Sequence, residues 1–167
     1  MVASRLFTIV ACALVLATGM IARSQERRVP ALPDPTARFD PARDAESDIR
    51  TAVAEAKRTN RRVILDVGGE WCGWCHTLDR YFADHPELRV YRDAHYVWLK
   101  INMSPENENQ AVLSRYPHIN GYPHLFVLDQ DGKLLQSQDT SPLESGPSYD
   151  LARMTAFLNK WAADPAK

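Results

Sequence analysis

The residues in this chain best suited to chemistry are two cysteines in Trp71-Cys72-Gly73-Trp74-Cys75-His76. They follow a short apolar run, Arg62-Val63-Ile64-Leu65-Asp66-Val67. A helix opening at Cys72 would set that sulfur beside unpaired backbone N–H groups and the positive end of the helix dipole, both of which favour thiolate. Such placement lowers a thiol pKa from about 8.5 into the range of roughly 3.5 to 7.5. Cys72 is therefore the expected nucleophile. Cys75, one turn further on the same face, lies within bridging distance and can resolve a mixed disulfide. The chemistry is dithiol–disulfide exchange.

Three other readings of the pair stand beside it. Paired cysteines open many zinc sites, but a structural zinc needs four ligands and the chain has no second close pair. Cys72-Gly73-Trp74-Cys75-His76 also fits covalent haem attachment, with His76 as axial ligand. Against haem, the motif follows a strand-like segment in a chain that alternates strands and helices. Two ordinary buried cysteines would need neither this spacing nor this placement.

The elements that must position the pair are legible in the hydrophobic pattern. Ala45, Ile49, Ala52, Val53 and Ala56 recur at helical spacing from Asp44 to Thr59, with Asp44 or Ser47 able to cap. Val63 to Val67 reads as a buried strand that delivers the chain through Gly68-Gly69-Glu70 to a helix from Cys72 to about Ala83, with Cys75, Leu78 and Phe82 facing the core. A helical piece follows Pro86 to about Asp93, then a strand from Tyr96 to Ile101. Ser104 as a cap and Pro105 in the first turn predict a helix to Tyr116. Leu125–Leu128 and Leu134–Ser137 flank Asp129-Gln130-Asp131-Gly132 as a hairpin. A last helix is expected from Tyr149 to Ala163, burying Leu151, Met154, Phe157, Leu158 and Trp161.

The length suits one domain. Residues 1 to 24 resemble a secretory signal: Arg5, an apolar stretch from Leu6 to Ile21, and Ala22-Arg23-Ser24 ahead of Gln25. The apolar stretch is shorter than the roughly 20 residues of a spanning helix, though an uncleaved anchor stays open. Ile9-Val10-Ala11-Cys12 imitates a lipoprotein box, but a cut there would leave too little apolar segment before it. Cleavage near Ser24–Gln25 removes Cys12, leaving Cys72 and Cys75 alone. In an oxidising compartment, where small domains are stapled by disulfides, a lone close pair points to function. Residues 25 to 43, with Pro30, Pro33, Pro35 and Pro41, read as a proline-rich lead-in, and 44 to 167 as the domain. With 20 basic and 21 acidic side chains, nothing suggests nucleic acid.

The order helix, strand, helix, strand, helix, strand, strand, helix, with Cys-x-x-Cys at the tip of the first strand, resembles the thioredoxin family over roughly Asp44 to Ala163. The family's acid six residues before the first cysteine is matched by Asp66, its preceding Trp by Trp71, and its middle-strand lysine by Lys100. Its cis-proline loop is matched by Gly121-Tyr122-Pro123 ahead of the hairpin. The chain most resembles exported thioredoxin-like reductases and the periplasmic C-terminal domain of the transmembrane reductase DsbD. It departs in Gly73-Trp74, where thioredoxin has Gly-Pro and DsbA has Pro-His, in His124 after the proline, and in an insertion placed around Pro86 to Asp93.

The resemblance implies an α/β thioredoxin fold, a mixed sheet flanked by helices, with no cofactor and no metal. It implies that Asp66, its pKa raised by burial, takes the proton of Cys75 through water; a strand-end aspartate bonded to backbone is the alternative. Lys100 would pair with Asp66, or snorkel to water from an edge strand. Pro123 would be cis and line the site, with the Tyr122 backbone receiving an extended client. Trp71 and Trp74 would present apolar surface to the client, Trp74 being favoured, although tryptophan also fills cores. His76, His85, His95 and His118 read as surface histidines. The expected function is an exported thiol–disulfide oxidoreductase that reduces protein clients on Cys72 and is recharged by a membrane electron donor. A disulfide oxidase or isomerase using the same residues, or a non-catalytic binding or chaperone module, are the alternatives.

Overall fold

A computed structural model of the protein describes residues 31–163. The expected signal segment, the first part of the lead-in and the last four residues lie outside that range. Helix α1 (Ala45–Thr59) opens on Asp44, whose carboxylate accepts the Ser47 N–H at 3.1 Å. It ends at Asn60, in the left-handed conformation with φ 54°. Its Ala45, Ala52 and Ala56 are buried, and their small side chains let the helix lie close on the sheet.

Strand β1 (Arg62–Gly68) is buried from Val63 onward, as a continuous apolar run requires of a central strand covered on both faces. Next come α2 (Gly73–Asp84), α3 (Pro86–His95) and β2 (Tyr96–Asn102). A short α4 (Gln110–Leu113) leads to β3 (His124–Leu128) and β4 (Leu134–Asp139). A two-residue pair, β5 (Glu144–Ser145) and β6 (Ser148–Tyr149), precedes α5 (Leu151–Trp161). The sheet runs β2-β1-β3-β4, with β1 and β2 parallel and the other neighbours antiparallel.

Two apolar layers hold the sheet between helices. One packs Ile64, Trp98 and Leu125 against Leu78 and Phe82 of α2 and Met154, Phe157 and Leu158 of α5. The other packs Val63, Leu65, Leu99 and Phe126 against α1.

Three expectations are corrected. The helix expected from Pro105 to Tyr116 exists only over Gln110–Leu113. Ser104 does not cap it: Ser104 bridges Asn107, and its hydroxyl donates to Glu106 at 2.6 Å. Asn102 donates to the Asn107 carbonyl at 2.9 Å and the Asn107 side chain accepts the Asn109 N–H at 3.0 Å, so polar side chains claim backbone groups a helix would have used. Tyr149 pairs in β6 and Asp150 caps α5, so the last helix starts two residues later than expected. Leu151, in its first turn, is 48% exposed rather than core. The hairpin turn forms as expected, with Asp129 accepting the N–H of Asp131 and of Lys133 and Gly132 at φ 81°.

Candidate active site

β1 ends at the cysteine motif, and the geometry there follows from two glycines. A Cβ on Gly68 would stand 2.4 Å from the Cys75 sulfur, and one on Gly69 would stand 2.5 Å from Trp71 Nε1 and 2.8 Å from the Met103 carbonyl. The chain passes this close to the sulfur only without side chains. Cys72 is the residue just ahead of α2, and its Sγ accepts the Cys75 N–H at 3.1 Å. Cys72 and Cys75 are joined as a disulfide with Cα atoms 5.2 Å apart, and both are buried. Opening that bond leaves the Cys72 sulfur facing a backbone donor at a helix N-terminus, which stabilises a thiolate.

Asp66 lies on the same strand, 2% exposed. Its Oδ2 accepts Trp98 Nε1 at 3.1 Å, while Oδ1 has no hydrogen-bond partner among the described residues. Burial pushes its pKa up to about 7, against the pull of Lys100, with Asp79 adding to the rise. The backbone-bonded alternative for Asp66 is thus replaced by an indole contact. Lys100 stands across from Asp66 in the strand register but pairs with Asp79 of α2 at 2.6 Å. Its side chain is 6% exposed, so it neither bonds Asp66 nor snorkels to water.

The Tyr122–Pro123 bond is cis and Pro123 is buried at the head of β3, where His124 pairs with Val67 of β1. The proline loop and the cysteine helix therefore meet at one end of the sheet. Tyr122 meets the edge of Trp71, ring centroids 5.4 Å apart, and packs beside the two cysteines. Trp71 is 56% exposed and donates to the Met103 carbonyl at 2.7 Å. Trp74 is half-buried, its ring 5.6 Å from Tyr149. Trp71 is thus the more exposed of the two rings, while Trp74 is partly buried against the core and beside the two cysteines. A groove of about 610 Å³ runs beside Trp71 over Phe39, Pro41, Met103 and Pro105.

His76 places Nε2 2.9 Å from the Glu70 carbonyl, which ties the ring to the loop it follows. Among the described residues no group of three or more His, Cys, Asp or Glu could hold a metal. His124 is buried with Nε2 on Ser137 Oγ at 2.8 Å, and burial lowers its pKa below 6.5.

The sequence reading missed Phe39 and Glu70. Phe39, in the lead-in, is 2% exposed and packs with Cys72 and Cys75. Glu70 accepts the Phe39 N–H at 2.9 Å and Arg38 Nε at 2.8 Å. The one available signal was an aromatic residue, Phe39, alone among prolines and charges.

A family model described as thioredoxin-like matches residues 44–130. The chain is 28% identical over 85 residues to a thiol:disulfide interchange protein, DsbD, of Citrobacter koseri, covering 50% of this chain and 14% of that one. It is 24% identical over 100 residues to the disulfide bond reductase DsbH of Chlamydia pneumoniae, covering 54% of this chain and 60% of that one. The chain thus spans less than two thirds of either relative. Among solved structures, a disulphide isomerase from Xylella fastidiosa Temecula1 superposes with a TM-score of 0.63 at 24% identity, over 78% of this chain and 96% of that one. That likeness shows the fold. With its Cys-x-x-Cys pair at the start of α2 on a mixed four-stranded sheet, the chain belongs to the thioredoxin-like family.

Proposed function

We propose that this protein is an exported thiol–disulfide oxidoreductase that reduces disulfides of protein clients. The observation that carries the reading is the Cys72–Cys75 pair at the start of α2, with the Cys75 N–H directed at Cys72 Sγ. The name of the Chlamydia pneumoniae relative, a disulfide bond reductase, favours the reducing direction.

In the reduced protein, Cys72 thiolate attacks one sulfur of the client disulfide, and the other client sulfur leaves as a thiolate that takes a proton from water. Cys75 then loses its proton to the Asp66 carboxylate through a water molecule. Its sulfur attacks Cys72 Sγ, closes the Cys72–Cys75 disulfide and releases the second client thiolate, which takes up the proton held by Asp66. The client gains two electrons and two protons, and the protein ends oxidised. A second dithiol must restore it, and a membrane-held electron donor fits an oxidising compartment. Export is supported by the leader-like residues 1 to 24. Among the described residues no helix is long and apolar enough to cross a membrane.

Client contact is assigned to the exposed ring of Trp71 and to the Tyr122-Pro123 loop, whose backbone would pair with an extended segment. Trp74, half-buried beside the two cysteines, adds the part of its ring that stays accessible. An oxidase or isomerase would run the same residues in reverse. The equilibrium reduction potential of the pair against glutathione decides: a value near thioredoxin's, about −270 mV, supports the reductase, and one near DsbA's, about −120 mV, makes the protein an oxidant.

A further inference from the structure

We propose that Phe39 is a positioning residue for the exchange reaction: its ring, carried by the segment ahead of α1 and pinned by Glu70, shuts water out of the junction of β1 and α2 and holds Cys75 against Gly68. The proposal rests on the reading of Cys72 and Cys75 as the redox pair.

Gly68 presents one bare surface to two neighbours. A Cβ there would lie 2.4 Å from Cys75 Sγ and 3.1 Å from Phe39 Cζ, so sulfur and ring converge on the same missing side chain. A ring at 2% exposure, in a segment otherwise of turns and prolines, is held in place by specific bonds. Glu70 accepts from the Phe39 backbone and from Arg38, and Asn107 donates to the Pro41 carbonyl at 2.8 Å. Burial pushes the Glu70 carboxyl up, but these bonds outweigh it and hold the group below its usual range, so the clamp is anionic at neutral pH. Glu70 lies two residues before Cys72, which fastens the strap to the active-site loop itself.

The ring also covers a charge. Lys100 Nζ stands 4.7 Å from the Phe39 centroid while it pairs with Asp79. The groups that act on Asp66 are Lys100 and Trp98 from β2, Asp79 from α2 and Arg92 from α3, with Tyr149 of β6 also within electrostatic reach. Phe39 is the apolar cover over the Lys100–Asp79 part of this set. Without it, water reaches Lys100 and the Cys75 sulfur, and the low-dielectric setting that keeps Asp66 a competent base near neutrality weakens.

The test compares Phe39→Ala and Phe39→Leu with the wild type. Two quantities are read: the pH midpoint for release of a model peptide from a preformed mixed disulfide, and the Asp66 carboxyl ¹³C shift against pH. In Phe39→Ala both midpoints should fall by about one pH unit, while Phe39→Leu, which restores apolar cover, should stay near wild type. A folded Phe39→Ala protein with both midpoints unchanged overturns the proposal and leaves Phe39 as core filling. If Phe39→Ala does not fold, Glu70→Ala, which releases the strap and keeps the ring, should shift both midpoints in the same direction by less, and no shift there also overturns it. A wild type that exchanges with no disulfide would overturn the redox reading instead, and the ¹³C titration would still score the role of Phe39 on Asp66.

Discussion

Asp66 and Lys100 stand opposite each other on parallel neighbouring strands, yet Lys100 gives its ammonium to Asp79, 2.6 Å away. Asp66 is left with one indole donor and a buried oxygen that has no partner among the described residues. An acid so placed is easily protonated near neutral pH, which is the condition for it to shuttle a proton at physiological pH.

The sign of its effect on stability follows. The unfolded carboxyl titrates near 3.8 and the folded one near 7, so between those values the native state holds a proton that the unfolded chain has lost. Stability from this group is therefore greatest at the acid end of that window and falls as pH rises through it, by on the order of 4 kcal/mol in total. Asp66→Asn should be more stable than wild type at pH 8 and gain little at pH 4, read from urea midpoints. The same variant should slow the resolving step by about 100-fold.

His124 has the opposite slope. It is buried neutral with a pKa below its unfolded value of 6.5, so acid protonates the unfolded chain first and draws the protein toward it. Stability should fall as pH drops below 6.5, and His124→Gln should flatten that limb in urea titrations between pH 5 and 7.

Gly68→Ala places a methyl group 2.4 Å from Cys75 Sγ, on strand backbone that cannot move aside. A loss of about 1–3 kcal/mol is expected, together with a changed reduction potential. A wild-type urea midpoint in this variant would mean that the sulfur does not press on the strand.

Trp71→Ala should leave stability within about 1 kcal/mol, because the ring is more than half exposed. If the ring docks clients, KM for a protein disulfide rises by about 10-fold while turnover of oxidised glutathione is unchanged. Equal loss on both substrates would assign Trp71 to the chemistry instead.

Cys75→Ser should accumulate client proteins bound through Cys72, released by reductant and visible on non-reducing gels. Cys72→Ser should accumulate none and lose thiol–disulfide exchange activity entirely.

The long helices were legible because each buries one face, which period and capping residues mark directly, and the central strands because cover on both faces leaves short continuous apolar runs. The dithiol was legible because its spacing is its chemistry. Two kinds of feature were not. The stretch from Ser104 to Asn109 carries the marks of a helix start, Ser then Pro, and folds otherwise because the side chains of Asn102, Asn107 and Asn109 capture local backbone groups. That competition is decided by where β2 ends, which no local window contains. The partners of Lys100 and the seat of Phe39 depend on contacts between residues more than 20 positions apart. A lysine opposite an aspartate invites the nearest pairing, and only the packing of α2 over the sheet brings Asp79 closer.

The pairing of β1 with β3 has a consequence for the order in which the protein is made. The cysteines stand at the end of β1 and Pro123 at the start of β3, and Val67 and His124 face each other across the seam. A ribosome delivers Cys72 and Cys75 well before it delivers Pro123. Until β3 has docked beside β1, the emerging chain carries its two cysteines with no proline loop beside them. The proline loop thus meets the cysteines only through the completed sheet, and a chain cut before Pro123 would lose that wall together with the β3 and α5 side chains on which α2 packs.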